Sequence, residues 1–196
     1  MTESIDSGLI NLQAQEILKA EFNYIEKTVF QANEDRARVS SYFLSAAGSL
    51  IAVILGAHLK EGKDLSASAS YGFSMLFVVL GITGCLTILQ LVRLRRAWRE
   101  SVQAMLKIKK YYLDHFAGSD LNEAFLWRDD TLPAAYKPGS ISFLLAVQVA
   151  IMSGVMFGAA YYFFAKAQES NQLALALFIG FSSLVAEMVI YRVKLK

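Results

Sequence analysis

Proline is nearly absent from this chain: there are two, Pro133 and Pro138, and nothing before residue 133 carries the residue that most firmly breaks a helix. Cysteine is rarer still. Cys85 stands alone, which excludes a disulfide framework and a CxxC metal pair. The two histidines, His58 and His115, have no clustered carboxylates around them, so no metal and no cofactor is expected. Charged residues make up only 18% of the chain and the formal net charge is +2, too small a surplus to argue for a nucleic-acid partner. GxSxG, HExxH and Walker-type glycine loops are all missing, so no catalytic residue is named and no enzyme is expected. Asp114-His115 and Asp129-Asp130 are neighbours in sequence, so on a helix their side chains diverge and read as solvated surface. The polar N-terminal stretch lacks a basic start followed by an apolar core, and no cleaved signal peptide is expected. Neither a Met-Gly start nor a prenylation box is present.

What is abundant is apolar residue, 55% of the chain, with a mean hydropathy of +0.40. It comes in blocks. The run from Tyr71 to Val92 is 22 residues without a charge, long enough to cross a bilayer as one helix. Three further blocks match it in kind: 40–59, 141–165 and 172–191. The expected fold is therefore all-α, a four-transmembrane-helix protein with two hairpins, 40–92 and 141–191. The remaining segments are an N-terminal helix (1–39), a basic helix and loop (93–140) and a short tail (192–196).

Lysine and arginine fix an orientation. The N-terminal segment carries four, the 93–140 segment nine and the tail three, against three in the short connections at the other face (Lys60, Lys63, Lys166). Sixteen of 19 on one side is the bias of an inner-membrane protein with both termini cytoplasmic.

On that face, Leu18, Phe22, Ile25 and Val29 recur at spacings of four, three and four within a helix over 9–38 that runs on into the first span. In the second long helix, Leu94, Trp98, Val102, Met105, Tyr112 and Phe116 keep near-helical spacing. Two narrow apolar stripes leaving one membrane face predict that 9–38 and 94–116 pair as a cytoplasmic helical hairpin. After it, Ser119 or Asp120 is expected to cap a short helix from about Leu121, with Phe125, Leu126, Trp127 and Leu132 packing on the pair or lying among headgroups.

Three groups of side chains are candidates for function. Glu187 is the acidic residue within a span, and Gln90 and Gln148 lie at the inner halves of theirs. Together they form a candidate polar inner cluster or pore lining; the plainer reading is that Glu187, near the cytoplasmic end, snorkels or pairs with a basic collar. That collar, Arg93, Arg95, Arg96 and Arg99, is positioned for lipid phosphate or another anionic ligand, and lipid is the simpler partner than nucleic acid. Finally, Ser45, Ser49, Ala52 and Gly56 set a small face on the first span, and Gly154 with Gly158 forms a GxxxG pair on the third. Small faces let helices approach closely, within one chain or between copies, so a homo-oligomer is one expectation.

The helical lead IEKTVFQANEDRARVSSYFLSAAGSLIAV, the basic helix after a hairpin and the small size resemble the SLATT-type membrane effectors of bacterial defence systems and their cyclic-nucleotide-linked relatives. The resemblance is one of organisation. It implies oligomerisation and membrane permeabilisation on a cytoplasmic trigger, and it assigns no individual residue. The expected function is thus a pore-forming or membrane-perturbing effector in anti-phage defence. The alternatives are a non-conducting scaffold that recruits a soluble cytoplasmic protein and, third, a small transporter.

Overall fold

A computed structural model describes residues 2–61, 65–116 and 131–196, with side chains described for 15–54, 56, 65–115 and 131–196. Four helices carry these residues: α1 (Thr2–Glu61), α2 (Ala67–Phe116), α3 (Ile141–Ala167) and α4 (Leu173–Leu195). Among the described residues there is no strand, and each of the four helices is long and apolar enough to cross a membrane. The expected all-α fold with four apolar helices is what the structure shows.

The lack of proline explains the lengths. α1 runs 60 residues and α2 50, each continuing from an apolar block into a charged one with nothing to interrupt the backbone ladder. α3 starts where the sequence signals a start. Pro138 precedes Gly139, whose φ of 76° suits a residue without a side chain. Ser140 then caps the helix, its hydroxyl accepting from the Phe143 N–H. The α3 end closes on itself: the Gln168 and Ser170 N–H groups both return to the Ala165 carbonyl. The short helix expected from Leu121, with Phe125, Leu126 and Trp127, lies outside the described residues.

The chain divides into two units. Unit 1 comprises 1–34 and 94–135, and unit 2 comprises 35–93 and 136–196. In unit 1 the two stripes meet. Ala32, Trp98 and Val102 form a buried cluster, with Val29 and Leu132 packed against it. Ile25 is buried further along α1 and Leu106 along α2, while Leu18 and Phe22 share the walls of one cleft with Tyr112. Residue 32 meeting 98–102 while 18–22 meets 112 is an antiparallel register. Met105 is half-buried on the same helix.

Unit 2 is a bundle of all four helices. Ala47 of α1, Phe77 of α2 and Met156 and Ala160 of α3 form one core cluster. The Ser74 hydroxyl donates to the Ala160 carbonyl at 2.8 Å, tying α2 to α3. Between α3 and α4 the backbones themselves touch. A Cβ at Gly154 would stand 2.6 Å from the Gly180 carbonyl oxygen, and one at Gly180 would stand 2.7 Å from that of Gly154. The bundle's outer surface is apolar rather than charged. Met75, Leu86, Leu177, Phe178 and Phe181 are all exposed, a pattern that buries nothing in water and suits lipid.

Candidate functional site

Glu187 sits on α4, eight residues before Leu195, or about 12 Å along the helix axis at 1.5 Å per residue. Its side chain turns inward and is 3% exposed. The Ser153 hydroxyl lies 2.6 Å from Glu187 Oε1, and the Cys85 thiol donates to the same oxygen at 3.2 Å. Ser153 is the thirteenth residue of the 27-residue α3, so the carboxyl meets α3 near its midpoint. Three helices thus converge on one oxygen. α1 reaches the same point, because a Cβ on Gly84 would stand 2.6 Å from Ser153 Oγ and 3.0 Å from the Phe43 ring. Gly84 is what lets Ser153 and Phe43 close over the site.

This geometry corrects two expectations. Glu187 neither snorkels nor pairs with the arginines, because its oxygen is held by a hydroxyl and a thiol in the middle of the bundle. Gln90 and Gln148 do not join it; both are exposed on the outside of their helices. Neither Ser153 nor Cys85 stands out in the sequence: Cys85 is a lone cysteine, and Ser153 is hidden by the GxxxG pair that starts at the next residue. The signal was Gly81 and Gly84 beside Cys85, two small residues one turn apart where a neighbouring helix comes close.

The chemistry of the site is that of a carboxyl with unequal oxygens. Oε1 has two partners. Oε2 is buried and has none among the described residues. Leaving one such polar atom unsatisfied costs about 1–3 kcal/mol, and an uncompensated charge far more.

The arginines separate into two kinds. Arg95 is buried: Nε donates to the Ala135 carbonyl and Nη2 to that of Ala134, both at 3.1 Å, and the guanidinium lies 4.4 Å from the centre of the Trp98 ring. It is occupied by its own chain and is withdrawn from the set expected to bind lipid. Arg93 and Arg96 are exposed, and Arg99 is half-buried with an Nε that has no hydrogen-bond partner among the described residues. Arg36, which belongs to no motif in the sequence, is also buried and donates to the Ser142 hydroxyl.

The small residues divide as well. Gly154 and Gly158 face α4 of the same chain, so the GxxxG pair is consumed by intramolecular packing. On α1 the reverse holds. Ser45, Ser49, Ala52 and Gly56 are exposed together with Ser41 and Gly48, and a Cβ at Gly48 or Gly56 would meet nothing within 4 Å.

Aromatic side chains collect at the two ends of unit 2. Tyr136 packs edge-on to Phe143 and Tyr191, with Arg192 over its ring at 5.8 Å. At the other end Phe163 contacts Phe73, Phe77 and Tyr162, and Tyr71 contacts Phe164. No protein-family model matches this chain, and no curated protein or solved structure is detectably similar to it.

Proposed function

We propose that this chain is an integral inner-membrane protein with both termini cytoplasmic, assembling into a homo-oligomer that acts as a pore-forming or membrane-perturbing effector. Unit 1 is its cytoplasmic helical hairpin, through which the trigger acts. The aromatic groups support the membrane setting: Phe143 and Phe163 are separated by 20 residues of α3, about 30 Å, the thickness of a bilayer's hydrocarbon core. Tyrosines at both ends suit the two interfaces.

The observation that carries the assembly is the outward small face of α1. Six small residues, from Ser41 to Gly56, offer a surface on which a second copy's helix packs closely, and the chain's own helices leave it open. The centre of a single bundle is filled by Ala47, Phe77, Met156 and Ala160. A conducting path therefore belongs between subunits rather than through one bundle, away from the buried Glu187. An anti-phage role rests on the resemblance in organisation alone.

The test is native mass in lipid nanodiscs, read beside membrane potential on expression. An assembly of four or more subunits, with depolarisation when unit 1 is artificially clustered, is the expected result. A monomer, or an intact potential under clustering, rejects the effector.

A second reading, a scaffold recruiting a soluble protein, is favoured by Ile17 and Tyr24. They lie seven residues apart on one face of α1 and are 69% and 66% exposed. If that reading holds, a partner captured by the full chain is lost on Ile17→Lys with Tyr24→Lys. Leu18, Phe22 and Ile25 face the hairpin interior instead, and changing them tests folding.

A further inference from the structure

The oxygen count around Glu187 leads to a ligand. The Ser153 hydroxyl has two acceptors in reach, Glu187 Oε1 at 2.6 Å and the Gly81 carbonyl at 3.1 Å, and one hydrogen to give. An oxygen–oxygen distance of 2.6 Å requires a hydrogen on the line between the two. If Ser153 supplies it, the Gly81 carbonyl loses its side-chain donor and Glu187 stays charged. If Glu187 supplies it, Ser153 is free to donate to Gly81, and the chain Glu187–Ser153–Gly81 is satisfied in one direction.

We infer that Glu187 is a proton-binding site in the middle of the bundle, and that proton occupancy sets which way the Ser153 hydroxyl points. The surroundings favour a proton over retained charge. From α2 the titratable neighbour is Cys85, α3 brings Ser153, α1 brings Phe43, and on α4 the next titratable side chain is Tyr191, one turn on. The two groups bonded to the carboxyl are a thiol and a hydroxyl, and neither carries a positive charge. Among the described residues Oε2 accepts no hydrogen bond, which a neutral acid tolerates better than a buried carboxylate does. Unloading turns the hydroxyl from α2 toward α4. The Glu187–Ser153 bond between α4 and α3 is kept in both states with donor and acceptor exchanged, whereas the Ser153–Gly81 bond between α3 and α2 is made only with the proton bound, so the proton adds a tie between α3 and α2. This site is independent of whether the assembly conducts, and its test is read on the protein itself.

The experiment uses the full chain in nanodiscs. Infrared difference spectra across the physiological pH range are expected to contain a protonated-carboxyl band that is lost on raising pH and is absent in Glu187→Gln. In Ser153→Ala the band persists at higher frequency, as for an acid whose hydroxyl has lost its acceptor. Should Glu187→Gln not fold, the unaltered protein still decides: a hydrophobic carbodiimide, which needs a protonated carboxyl, should label Glu187 in peptide maps, faster at lower pH. Absence of both band and adduct at every pH overturns the site. Protection of Glu187 by sodium at fixed pH also overturns it, because the ligand is then an alkali cation.

Discussion

At the scale of single residues, identical side chains in one short stretch do different work. Arg93, Arg95, Arg96 and Arg99 are alike in the sequence, and a basic collar against a span was legible there. What was not legible is that Arg95 turns back onto its own chain. Its acceptors, the carbonyls of Ala134 and Ala135, lie 39 and 40 residues away, and no local spacing announces a contact of that range. The bidentate fork and the Trp98 ring beneath it are features a lysine does not reproduce. Arg95→Lys should therefore loosen the 131–135 segment, losing about 1.5–3 kcal/mol of charge-assisted bonding, and hydrogen exchange of those amides should quicken. Arg93→Gln should leave that exchange unchanged. Its side chain is exposed, and the change should instead weaken retention of anionic lipid, by about 1 kcal/mol. Equal effects of the two changes on lipid retention would refute the division. Glu187 teaches the same lesson: the sequence marked it as costly, but its partners come from helices that only the fold brings together.

At the scale of elements, the glycines divide by what faces them. Helix positions and small-residue spacing were readable because period and composition are local properties. Which neighbour each small face meets was not, because in an apolar helix every face is greasy and hydropathy does not choose among them. Gly180 has no companion glycine in a motif, yet it is the partner of Gly154. Adding a methyl at Gly154 or Gly180 forces two backbones apart, at a cost of about 1–3 kcal/mol. Gly154→Ala should lower the thermal midpoint of the bundle in detergent. Gly48→Leu and Gly56→Leu enter open space on α1, so the midpoint should hold while the native mass falls to that of one subunit. If Gly154→Ala instead dissociates an intact assembly, the GxxxG pair serves another copy and α1 does not.

At the scale of the whole molecule, α1 and α2 each pass from one unit into the other without a break, so one stretch of backbone belongs to both. The units differ in what holds them. Unit 2 has a core, inter-helix hydrogen bonds and touching backbones; unit 1 rests on Ile25, Ala32, Trp98 and Val102 and the residues packed on them. Trp98 is the largest of these, and replacing it by alanine should cost about 3–5 kcal/mol, most of what a hairpin this thin gains from packing. Because Trp98 also lies under Arg95, the same change should release the 131–135 segment. In Trp98→Ala, hydrogen exchange should rise in 15–34 and 94–115 and stay slow in α3 and α4. Native mass should persist, since the α1 small face belongs to unit 2, but clustering of unit 1 should no longer depolarise the membrane. An assembly that still depolarises on clustering with its hairpin unfolded would mean that the trigger does not act through helix pairing.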